Sequence, residues 1–554
     1  WYEGWGTFGS GTAADPYRFA PGMTSRNASF DGTIRAPGTV IDAWAFNKDG
    51  TASPFINGTE IQGAFGTPAA RQAGGGSGDD LGAQRRTLIP DSDRKSFFGY
   101  AEFEATNNLK LFAQYMHGNS SNYDQGNLRS SFIGSPATLT IFADNAFLPD
   151  DLRQTMVDNG INSFILRRVG SIEDIGILYR KERTKQHIAT GGFELDIDTG
   201  GLFDGWRADG FYQYGHSERV NRQFGLRLDR VYAAVDAVRD PATGEIVCRS
   251  SLYSDAFAGC QPLNLFGRGN ASAGAVDYVT GFEPGQKVTT PIYWSDSGFA
   301  SGDTLSYTSS PEKVNTTAFE QQLVEISLAG DLVESWAGPI AVAFGGSWRR
   351  EAIRQVVQDV TNPAGDYDNF RPIPCDGEVP GLRGVAAGDC TNTVGVQYSK
   401  TSNIKGSTRV WEAFGEAQVP LFDTSGISAS VNLAGRWANY SGSGTIWAYK
   451  SGLDVGLGDW ARLRGTYSRD VRAANLAERF DKSGGTAVID DPRTPEVEAI
   501  TVIRFAGGNP SVRPEKGDTY TAGIVLHPPV IDGLRLSLDW YDIKIKDAIG
   551  QVGP

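Results

Sequence analysis

The residue combinations in this sequence that could perform chemistry are few, and each is incomplete. Residues 9–14 (GSGTAA) have the glycine spacing of a dinucleotide-binding loop, but no apolar strand precedes them. Residues 196–200 (DIDTG) resemble the start of a calcium loop whose later acidic ligands are missing. The sequence contains no G-x-S-x-G, H-E-x-x-H or P-loop motif. The histidines fall singly on predicted strands, at His117, His187, His216 and His527. We therefore expect no catalytic residues, no metal site and no cofactor, in a protein that is not an enzyme.

The four cysteines form two pairs of near neighbours, Cys248 with Cys260 and Cys375 with Cys390. Both pairs lie in polar, loop-like sequence, and neither has C-x-x-C spacing. Two local disulfides in an oxidising compartment fit this pattern best. Four free thiols in a cytosolic protein, or a zinc site made of cysteines alone, are the alternatives.

The composition of the chain limits the classes of protein to which it can belong. The 554 residues carry a formal net charge of -14, with 65 acidic and 51 basic side chains and no block rich in Lys and Arg. This balance argues against nucleic acid as a partner. Abundant glycine (69 residues) and 11% aromatic residues are typical of strands and glycine-rich loops. No apolar run reaches the roughly 18 residues of a membrane helix. A transmembrane β-barrel remains possible, because only every second residue of its strands must be apolar.

Hydrophobicity alternates with a period of two along much of the chain. In residues 427–437 the odd-numbered positions are apolar or small, whereas the even-numbered positions are mostly polar. Residues 409–420, 447–457, 461–467 and 534–540 repeat the pattern, which predicts strands with one apolar and one polar face. The apolar positions mix Gly, Ala and aromatics, as on a lipid-facing barrel; the edges of a large β-sandwich or propeller are the alternative. The aromatic residues near predicted strand ends are Trp336, Trp348, Trp437, Trp447, Trp460, Tyr467 and Trp540.

Short turns and long connections alternate between the predicted strands. We expect about twelve strands in six hairpins. The predicted hairpin turns are residues 106–108, 198–205, 331–338, 420–426, 458–459 and 528–533. The long polar connections are residues 1–95, 120–183, 218–315, 353–407 and 471–516, and residues 149–159 within one of them predict a short helix. Short turns at one end and long loops at the other are typical of outer-membrane barrels.

The late part of the chain carries motifs of a known family. Residues 464–480 (RGTYSRDVRAANLAERF) resemble a late-barrel motif of the TonB-dependent receptors, with Arg472, Asn475 and Glu478 at its recurrent polar positions. Ala474 stands where that family usually has proline. Residues 508–528 resemble the family's N-P-x-[LV]-x-P-E block, and the matching residues are Asn509, Pro510, Pro514 and Glu515. Residues 534–549 are similar to its next strand, and residues 145–153, 260–269 and 335–351 look like a subgroup with large loops.

This resemblance implies an all-β, antiparallel transmembrane β-barrel. Residues 1–554 would be part of a roughly 22-stranded barrel with long extracellular loops and short periplasmic turns. The signal peptide, the energy-coupling box, the plug domain and the last strands of the family are expected to be absent from this sequence. The implied location is the outer membrane of a Gram-negative bacterium, with lipid around the barrel.

The function that the resemblance implies is uptake of a scarce, bulky nutrient with energy from the TonB complex. Ferric siderophores, cobalamin, haem and oligosaccharides are all substrates of the family, so the ligand is a small molecule or an oligosaccharide. The TonB complex would act through an N-terminal region that this sequence lacks. A passive outer-membrane porin and a secreted, soluble glycan-binding β-protein are the alternatives.

Charged residues on the predicted strands are expected to face the lumen. A charge that faces lipid at the membrane midplane costs about 2–4 kcal/mol. The expected lumen-facing charges are Glu412, Glu416, Arg462, Arg464, Arg472, Glu478, Arg535 and Asp539, together with Arg349 and Arg350. These charges would hold the plug, guide a polar solute, or simply solvate the inner wall.

Two further expectations concern the loops and the last strands. Aromatic loop residues that could stack on a ligand, or pack against one another, are Tyr253, Phe257, Tyr278, Tyr293 and Trp294. Leu534, Leu536, Leu538 and Trp540 are expected to face lipid, with Arg535, Ser537 and Asp539 facing the lumen. On the neighbouring strand we expect Tyr520, Ala522, Ile524 and Leu526 outward and Asp518 inward. A bulge, or an exit from the membrane, is expected between Trp540 and Ile543.

Overall fold

Strands dominate the computed structural model of this chain. The structure describes residues 6–8, 12–14, 16–26, 29–62, 71–79, 89–125, 139–168, 179–201, 203–281, 312–359, 361–362, 371–386, 389–390, 395–396, 403–489, 500–531 and 533–550. The first strands are short: β1 (Gly6–Phe8), β2 (Arg18–Ala20), β3 (Thr24–Ser25), β4 (Thr33–Arg35), β5 (Trp44–Phe46), β6 (Ala52–Pro54), β7 (Glu60–Gln62) and β8 (Arg71–Ala73). The next are β9 (Asp91–Thr106), β10 (Leu109–Gln125), β11 (Leu139–Phe142), β12 (Ser163–Arg167), β13 (Tyr179–Ile197), β14 (Trp206–Phe224), β15 (Ala237–Arg239) and β16 (Ile246–Cys248). The last are β17 (Glu312–Ser335), β18 (Gly338–Gln358), β19 (Ile404–Asp423), β20 (Ile427–Tyr440), β21 (Gly444–Leu457), β22 (Ala461–Arg472), β23 (Lys482–Ile489), β24 (Ile500–Gly507), β25 (Glu515–Leu526) and β26 (Leu536–Lys546).

Helices are few and short. They are α1 (Asp150–Asp158), α2 (Leu228–Val235), α3 (Ala273–Thr280) and α4 (Leu476–Phe480), with a 3-10 turn at Arg249–Leu252. Helix α1 confirms the helix predicted at residues 149–159. Its N-cap residue is Pro149, and Asp150 and Asp151 lie in its first turn, where carboxylates interact favourably with the helix dipole. Among the described residues, none of the helices is long and apolar enough to cross a membrane.

One antiparallel sheet of twelve strands organises the molecule. Its order is β9-β10-β13-β14-β17-β18-β19-β20-β21-β22-β25-β26, so each strand lies beside the preceding and following strands of the sheet. Six short turns at one end of the sheet join β9 to β10, β13 to β14, β17 to β18, β19 to β20, β21 to β22 and β25 to β26, and at the other end a three-residue turn joins β20 to β21. The predicted twelve strands and six hairpins are therefore confirmed. The sheet resembles part of a barrel but is open, with β9 and β26 as its edges.

The register of the sheet separates an apolar face from a polar face. Directly paired residues share a face, and successive residues of one strand alternate between faces. Leu463 of β22 pairs with Ile524 of β25, which pairs with Leu538 of β26. At the adjacent position on each of these strands, Arg464 pairs with Gly523, which pairs with Asp539. The first row belongs to what we call the apolar face, and the second to the polar face.

Large apolar side chains of the apolar face are exposed in the open sheet. Leu433, Leu453 and Leu538 have 45%, 47% and 73% of their surface exposed. Aromatic rings lie beside one another on this face near the end with the long connections: Trp348 is 6.2 Å from Trp411, Tyr449 is 5.8 Å from Tyr467, and Tyr467 is 4.6 Å from Tyr520. An exposed apolar surface that carries aromatic rows is typical of a strand surface in contact with lipid.

Two expectations about side-chain direction are wrong. Arg350 pairs with Gln322 and Arg409 and lies on the apolar face, whereas Arg349 lies on the polar face, because consecutive strand residues point to opposite sides. Asp518 pairs with Arg469 and therefore shares the apolar face with Tyr520.

The expected bulge after Trp540 is also not found. The pairing of β25 with β26 runs from Lys516–Lys546 to Leu526–Leu536 without a register shift. Ile543 therefore lies on the polar face. Beyond Trp540, Lys546 forms an ion pair with Asp518 at 3.1 Å on the apolar face, which fits an exit of this edge from the membrane rather than a bulge.

The long connections pack together into a second structural unit, here called the loop module. It comprises residues 29–55, 139–168, 226–281, 371–386 and 389–390. Strands β11, β12, β4, β5 and β6 form its five-stranded sheet, which joins chain segments before β9 to segments after β10. Its buried core includes Ile34, Ile41, Leu152, Leu166, Val231 and Phe266. Residues that sequence analysis treated as separate loops therefore share one hydrophobic core.

Two disulfides brace the loop module. Cys248 is bonded to Cys260, and Cys375 is bonded to Cys390. Both predicted pairings are confirmed. Each bond closes a loop, with sequence separations of 12 and 15 residues. On the chain-entropy account, loops of this size restrict the unfolded chain by about 3 kcal/mol each.

A pair of substitutions at adjacent residues tests the assignment of the two faces. Leu433 lies on the apolar face in the middle of β20, and Ala434 lies on the polar face. In lipid vesicles, Leu433→Arg should lower the free energy of unfolding by about 2–4 kcal/mol, because the guanidinium meets hydrocarbon. Ala434→Arg is the matched control and should change it by less than about 1 kcal/mol. Equal effects in denaturant titrations would contradict the assignment.

Candidate functional site

The polar face of the sheet is lined by ion pairs between neighbouring strands. Arg464 contacts Asp539 at 2.7 Å, and Arg462 contacts Asp454 at 2.8 Å. Arg436 contacts Glu412 at 2.6 Å. Because their arginines are half-exposed, such pairs contribute only about 0–1 kcal/mol each. Their main effect is to keep this wall strongly polar while its charges remain balanced.

Most of the charges predicted to lie together do share this face. Those on the polar face are Glu412, Glu416, Arg462, Arg464, Arg472 and Asp539. Glu478 lies on helix α4 rather than on a strand, and Arg535 precedes the first residue of β26. The sheet therefore groups six of these eight side chains, and the seventh, Glu478, joins them through Arg472.

Arg472 connects the two family motifs that the sequence displays. At the end of β22, its Nε donates to Glu515 at 2.7 Å, and its Nη1 donates to Glu478 at 3.0 Å. Glu478 also accepts from the Asn475 backbone N–H at 2.8 Å, while the Asn475 side chain accepts from the Glu478 N–H at 2.8 Å. This reciprocal capping box begins helix α4. The Arg472 ion pairs hold the pKa of the Glu478 carboxyl below its ordinary range.

Arg479 fixes the same helix to the sheet, although sequence analysis did not select it. Its side chain is 5% exposed. Its Nη1 donates to the Thr408 hydroxyl at 2.8 Å, and its Nη2 donates to the Pro510 carbonyl at 3.1 Å. The neighbouring Phe480 ring lies so close to Gly406 that a Cβ there would be 2.3 Å from it. Gly406 is therefore required for helix α4 to rest on the polar face of β19.

The other motif residues support this attachment from the chain that enters β25. The Asn509 backbone N–H donates to the Glu478 carbonyl at 2.9 Å. The Asn509 side chain accepts from the Ser511 N–H at 2.9 Å, which forms a local turn. Pro514 directly precedes β25, a position where a strand tolerates proline. Together these contacts hold helix α4 and the chain that enters β25 against the polar face.

Ion pairs between partly buried and exposed side chains hold the loop module together. Arg383 contacts Asp144 at 2.6 Å and Asp236 at 2.9 Å, and these carboxylates come from two other connections. Arg268 contacts Asp31 at 2.8 Å across 237 residues of sequence. Burial raises the pKa of Asp389 to about 7, although the Tyr232 hydroxyl donates a hydrogen bond to it. Such paired, partly buried groups fix the relative positions of segments that are remote in sequence.

The loop aromatics selected as ligand candidates have different surroundings. Phe257 and Tyr278 pack against the core of the loop module, and the Arg230 guanidinium lies 4.9 Å from the Tyr278 ring. Tyr253 is 58% exposed, with the Arg249 guanidinium 5.0 Å from its ring. Tyr293 and Trp294 lie outside the described residues. Self-packing therefore accounts for Phe257 and Tyr278, whereas more than half of the Tyr253 surface is exposed.

His117, His187 and His216 each lie alone on their strand, as expected, but the pairing of the strands brings the three side by side. His117 of β10 pairs with His187 of β13, which pairs with His216 of β14. The three residues form one row across the apolar face. Sequence patterns give the position of a residue along its own strand but not the register between strands 70 residues apart. Within the described ranges, no group of three or more His, Cys, Asp or Glu side chains is arranged to hold a metal ion.

The sheet is antiparallel and barrel-like, and comparison with known proteins identifies the family. Residues 181–554 match the family model described as TonB dependent receptor-like, beta-barrel. This match covers more than half of the chain, and the chain belongs to that family. The family consists of outer-membrane receptors and transporters, which agrees with the predicted fold class.

Individual relatives are distant. A hemin receptor of Yersinia pestis is 28% identical over 130 residues, which are 21% of this chain and 18% of the relative. The siderophore receptor PirA of Acinetobacter baumannii has 14% identity and a TM-score of 0.39, covering 82% of this chain and 43% of its own. A variant of the ferric enterobactin receptor of Pseudomonas aeruginosa has 12% identity and a TM-score of 0.39, covering 84% and 44%. The chain thus spans less than half the length of these solved structures.

Removing Arg472 tests its role in attaching helix α4. Arg472→Met leaves the Glu478 and Glu515 carboxylates without their shared cation. Hydrogen bonds to charged groups contribute about 1.5–3 kcal/mol, and less at the half-exposed Arg472. Amide hydrogen exchange of residues 473–481 should therefore accelerate about tenfold, equivalent to ~1.4 kcal/mol.

Arg462→Met is the matched control, because Arg462 pairs with Asp454 on the adjacent strand and lies at the opposite end of β22 from Arg472. Exchange of residues 473–481 should stay unchanged in that variant. Acceleration of similar size in both variants would show that Arg472 does not attach the helix specifically.

Proposed function

We propose that this chain forms a barrel wall and an extracellular loop module of a receptor that takes up a bulky nutrient across the outer membrane. The observation that best supports this proposal is the twelve-stranded sheet, whose apolar and polar side chains lie on opposite faces. The apolar face would meet lipid, and the polar face would line a water-filled lumen. Residues 1–554 would be one part of the complete barrel.

Closure of the sheet by further strands is part of this proposal. In lipid, each unpaired backbone N–H or C=O group costs several kcal/mol, so an open sheet edge does not occur there. The edge strands β9 and β26 each have one partner in the sheet. A closed barrel of roughly 22 strands, as in the large plugged transporters, would satisfy both edges.

The position of the connections supports the assignment of the polar face to the lumen. Near the end with the long connections, Val357 and Thr408 of the polar face are 0% and 7% exposed. The Val357 N–H donates to the Asn403 side chain at 2.9 Å, and Arg479 of helix α4 covers Thr408. Chain that leaves the strands at this end therefore folds inward over the polar face. The loop module would lie on the extracellular side, across the mouth of the barrel.

The ligand is proposed to be an iron chelate or another solute too large for passive diffusion. The hemin receptor of Yersinia pestis makes haem the first candidate to test. Ferric siderophores, cobalamin and oligosaccharides are the other classes that this family transports. The exposed ring of Tyr253 could stack on a planar ligand, and energy would come from the TonB complex acting on the plug of the complete receptor.

Uptake by the complete receptor tests the proposal. The gene would be expressed in a haem-requiring Gram-negative host that lacks its own haem receptors, with and without a functional TonB protein. We expect labelled haem to accumulate only when both the receptor and TonB are present. The same assay with a ferric siderophore and with cobalamin identifies the ligand class.

Accumulation that is independent of TonB would instead indicate a passive porin. Recovery of the complete protein from the soluble fraction, without detergent, would contradict the membrane location itself. A host that makes a TonB-dependent receptor of known substrate serves as the positive control for energy coupling.

A further inference from the structure

A cross-strand row of titratable side chains lies on the apolar face, outside the proposed ligand pathway. It runs from His117 of β10 through His187 of β13 and His216 of β14 to Glu320 of β17. The row lies two residues beyond Tyr115 and Tyr214 along their strands, towards the long connections. None of these four side chains has a role in the polar wall, in the loop module or in the family motifs.

Two members of this row have the geometry of a chelate. The Nδ1 atoms of His117 and His187 are 3.4 Å apart, and their ring centroids are 4.6 Å apart. Imidazole nitrogens bind Zn²⁺ at about 2.0–2.1 Å, so two of them on one tetrahedral ion lie about 3.3 Å from each other. The observed separation of the two Nδ1 atoms therefore matches the distance between two nitrogen ligands of one metal ion, without any movement of the backbone.

A third polar atom converges on the same point. The Tyr115 hydroxyl is 2.8 Å from the His187 Nδ1 atom, which His117 also approaches. A neutral imidazole nitrogen has one lone pair or one N–H, and it cannot satisfy both neighbours with full hydrogen bonds. A cation at this point would accept electron pairs from both rings and, with a small shift, from the phenol oxygen.

The backbone around the pair is rigid enough to hold such a site. Strands β10 and β13 are paired continuously from Leu109–Leu195 to Gln125–Tyr179, and no register shift interrupts them. Directly opposed Cβ atoms in antiparallel strands lie about 4.5–5.5 Å apart, which keeps paired side chains within reach of one ligand. Both rings are partly exposed, so a hydrated ion can reach them.

We propose that His117 and His187 form a two-imidazole binding site for one divalent transition-metal ion, with Tyr115 or water as further ligands. Imidazole donors favour Cu²⁺, Ni²⁺ and Zn²⁺, and Cu²⁺ binds most tightly of these three ions. His216 is oriented towards Glu320, at 3.9 Å, and is not one of the ligands. The site is separate from the proposed ligand pathway because it lies on the apolar face of the sheet, towards the long connections.

Titration with Cu²⁺ alone tests the proposal. The complete protein, purified in detergent with a tag that contains no histidine, should bind one Cu²⁺ per chain at this site. Its electron paramagnetic resonance spectrum should show two nitrogen ligands. His117→Gln and His187→Gln should each weaken binding more than about tenfold, because each removes a direct ligand. His527→Gln, which removes a histidine outside the row, is the control and should leave the affinity unchanged.

A relocated pair separates a specific chelate from a general effect on folding. Asn119 and Lys185 are the next directly paired residues on the same face. Asn119→His with Lys185→His, made together in the doubly substituted His117→Gln, His187→Gln protein, should restore binding of Cu²⁺. Unchanged affinity in both single variants, or no recovery in the folded relocated variant, would overturn the proposal. Failure of nutrient uptake would not affect this result, since the metal titration needs neither the ligand nor TonB.

Discussion

The continuous pairing of strands in one antiparallel sheet is the constraint on which the rest of the structure depends. Backbone groups that face lipid have no water to bond with, so each strand must pair with its neighbours. Once the pairing register is set, every side chain is assigned to one face, because successive residues alternate. A shift of one residue would place Arg464 and Asp539 among the leucines of the apolar face. In the observed register both side chains lie on the polar face, where they form an ion pair at 2.7 Å.

The connections follow from the same constraint. Strands that are joined by short turns at one end leave their long connections at the other, and there these connections meet. Each disulfide closes a loop within one connection, and ion pairs such as Arg383–Asp236 join different connections around the shared core. Helix α4 is tied separately, through Arg472 and Arg479, to the polar face. The family motif thus has a structural explanation, because its polar residues hold helix α4 and the chain that enters β25 against the polar face.

Local sequence patterns predicted the parts of the fold that depend on neighbours in sequence. The alternation around Leu433 gave the strand, the apolar face and the turn after Pro420. The spacing of Cys248 and Cys260 gave the disulfide. Asp518 was misplaced even though its parity with Tyr520 was visible, because its charge outweighed the strand period in the prediction. Arg350 was misplaced for the same reason.

Features that depend on remote segments could not be predicted in this way. The row of His117, His187 and His216 requires the register between strands that long connections separate. In the five-stranded sheet of the loop module, β4 pairs with β12. In the sequence, β4 precedes every strand of the large sheet, whereas β12 lies between β10 and β13. Arg479 gave no signal of its own, since an arginine on a short helix is usually solvated. Its burial arises only when the helix meets Thr408 on another strand.

The central claim is that the apolar face lies against lipid and the polar face against water. Spin labels placed one at a time at residues 429–436 of β20, with the complete protein in lipid vesicles, test it most directly. Collision with oxygen, which dissolves in lipid, should be high at the odd-numbered positions. Collision with a water-soluble nickel chelate should be high at the even-numbered positions. Alternation in the opposite phase, or equal access to both reagents along the strand, would contradict the account.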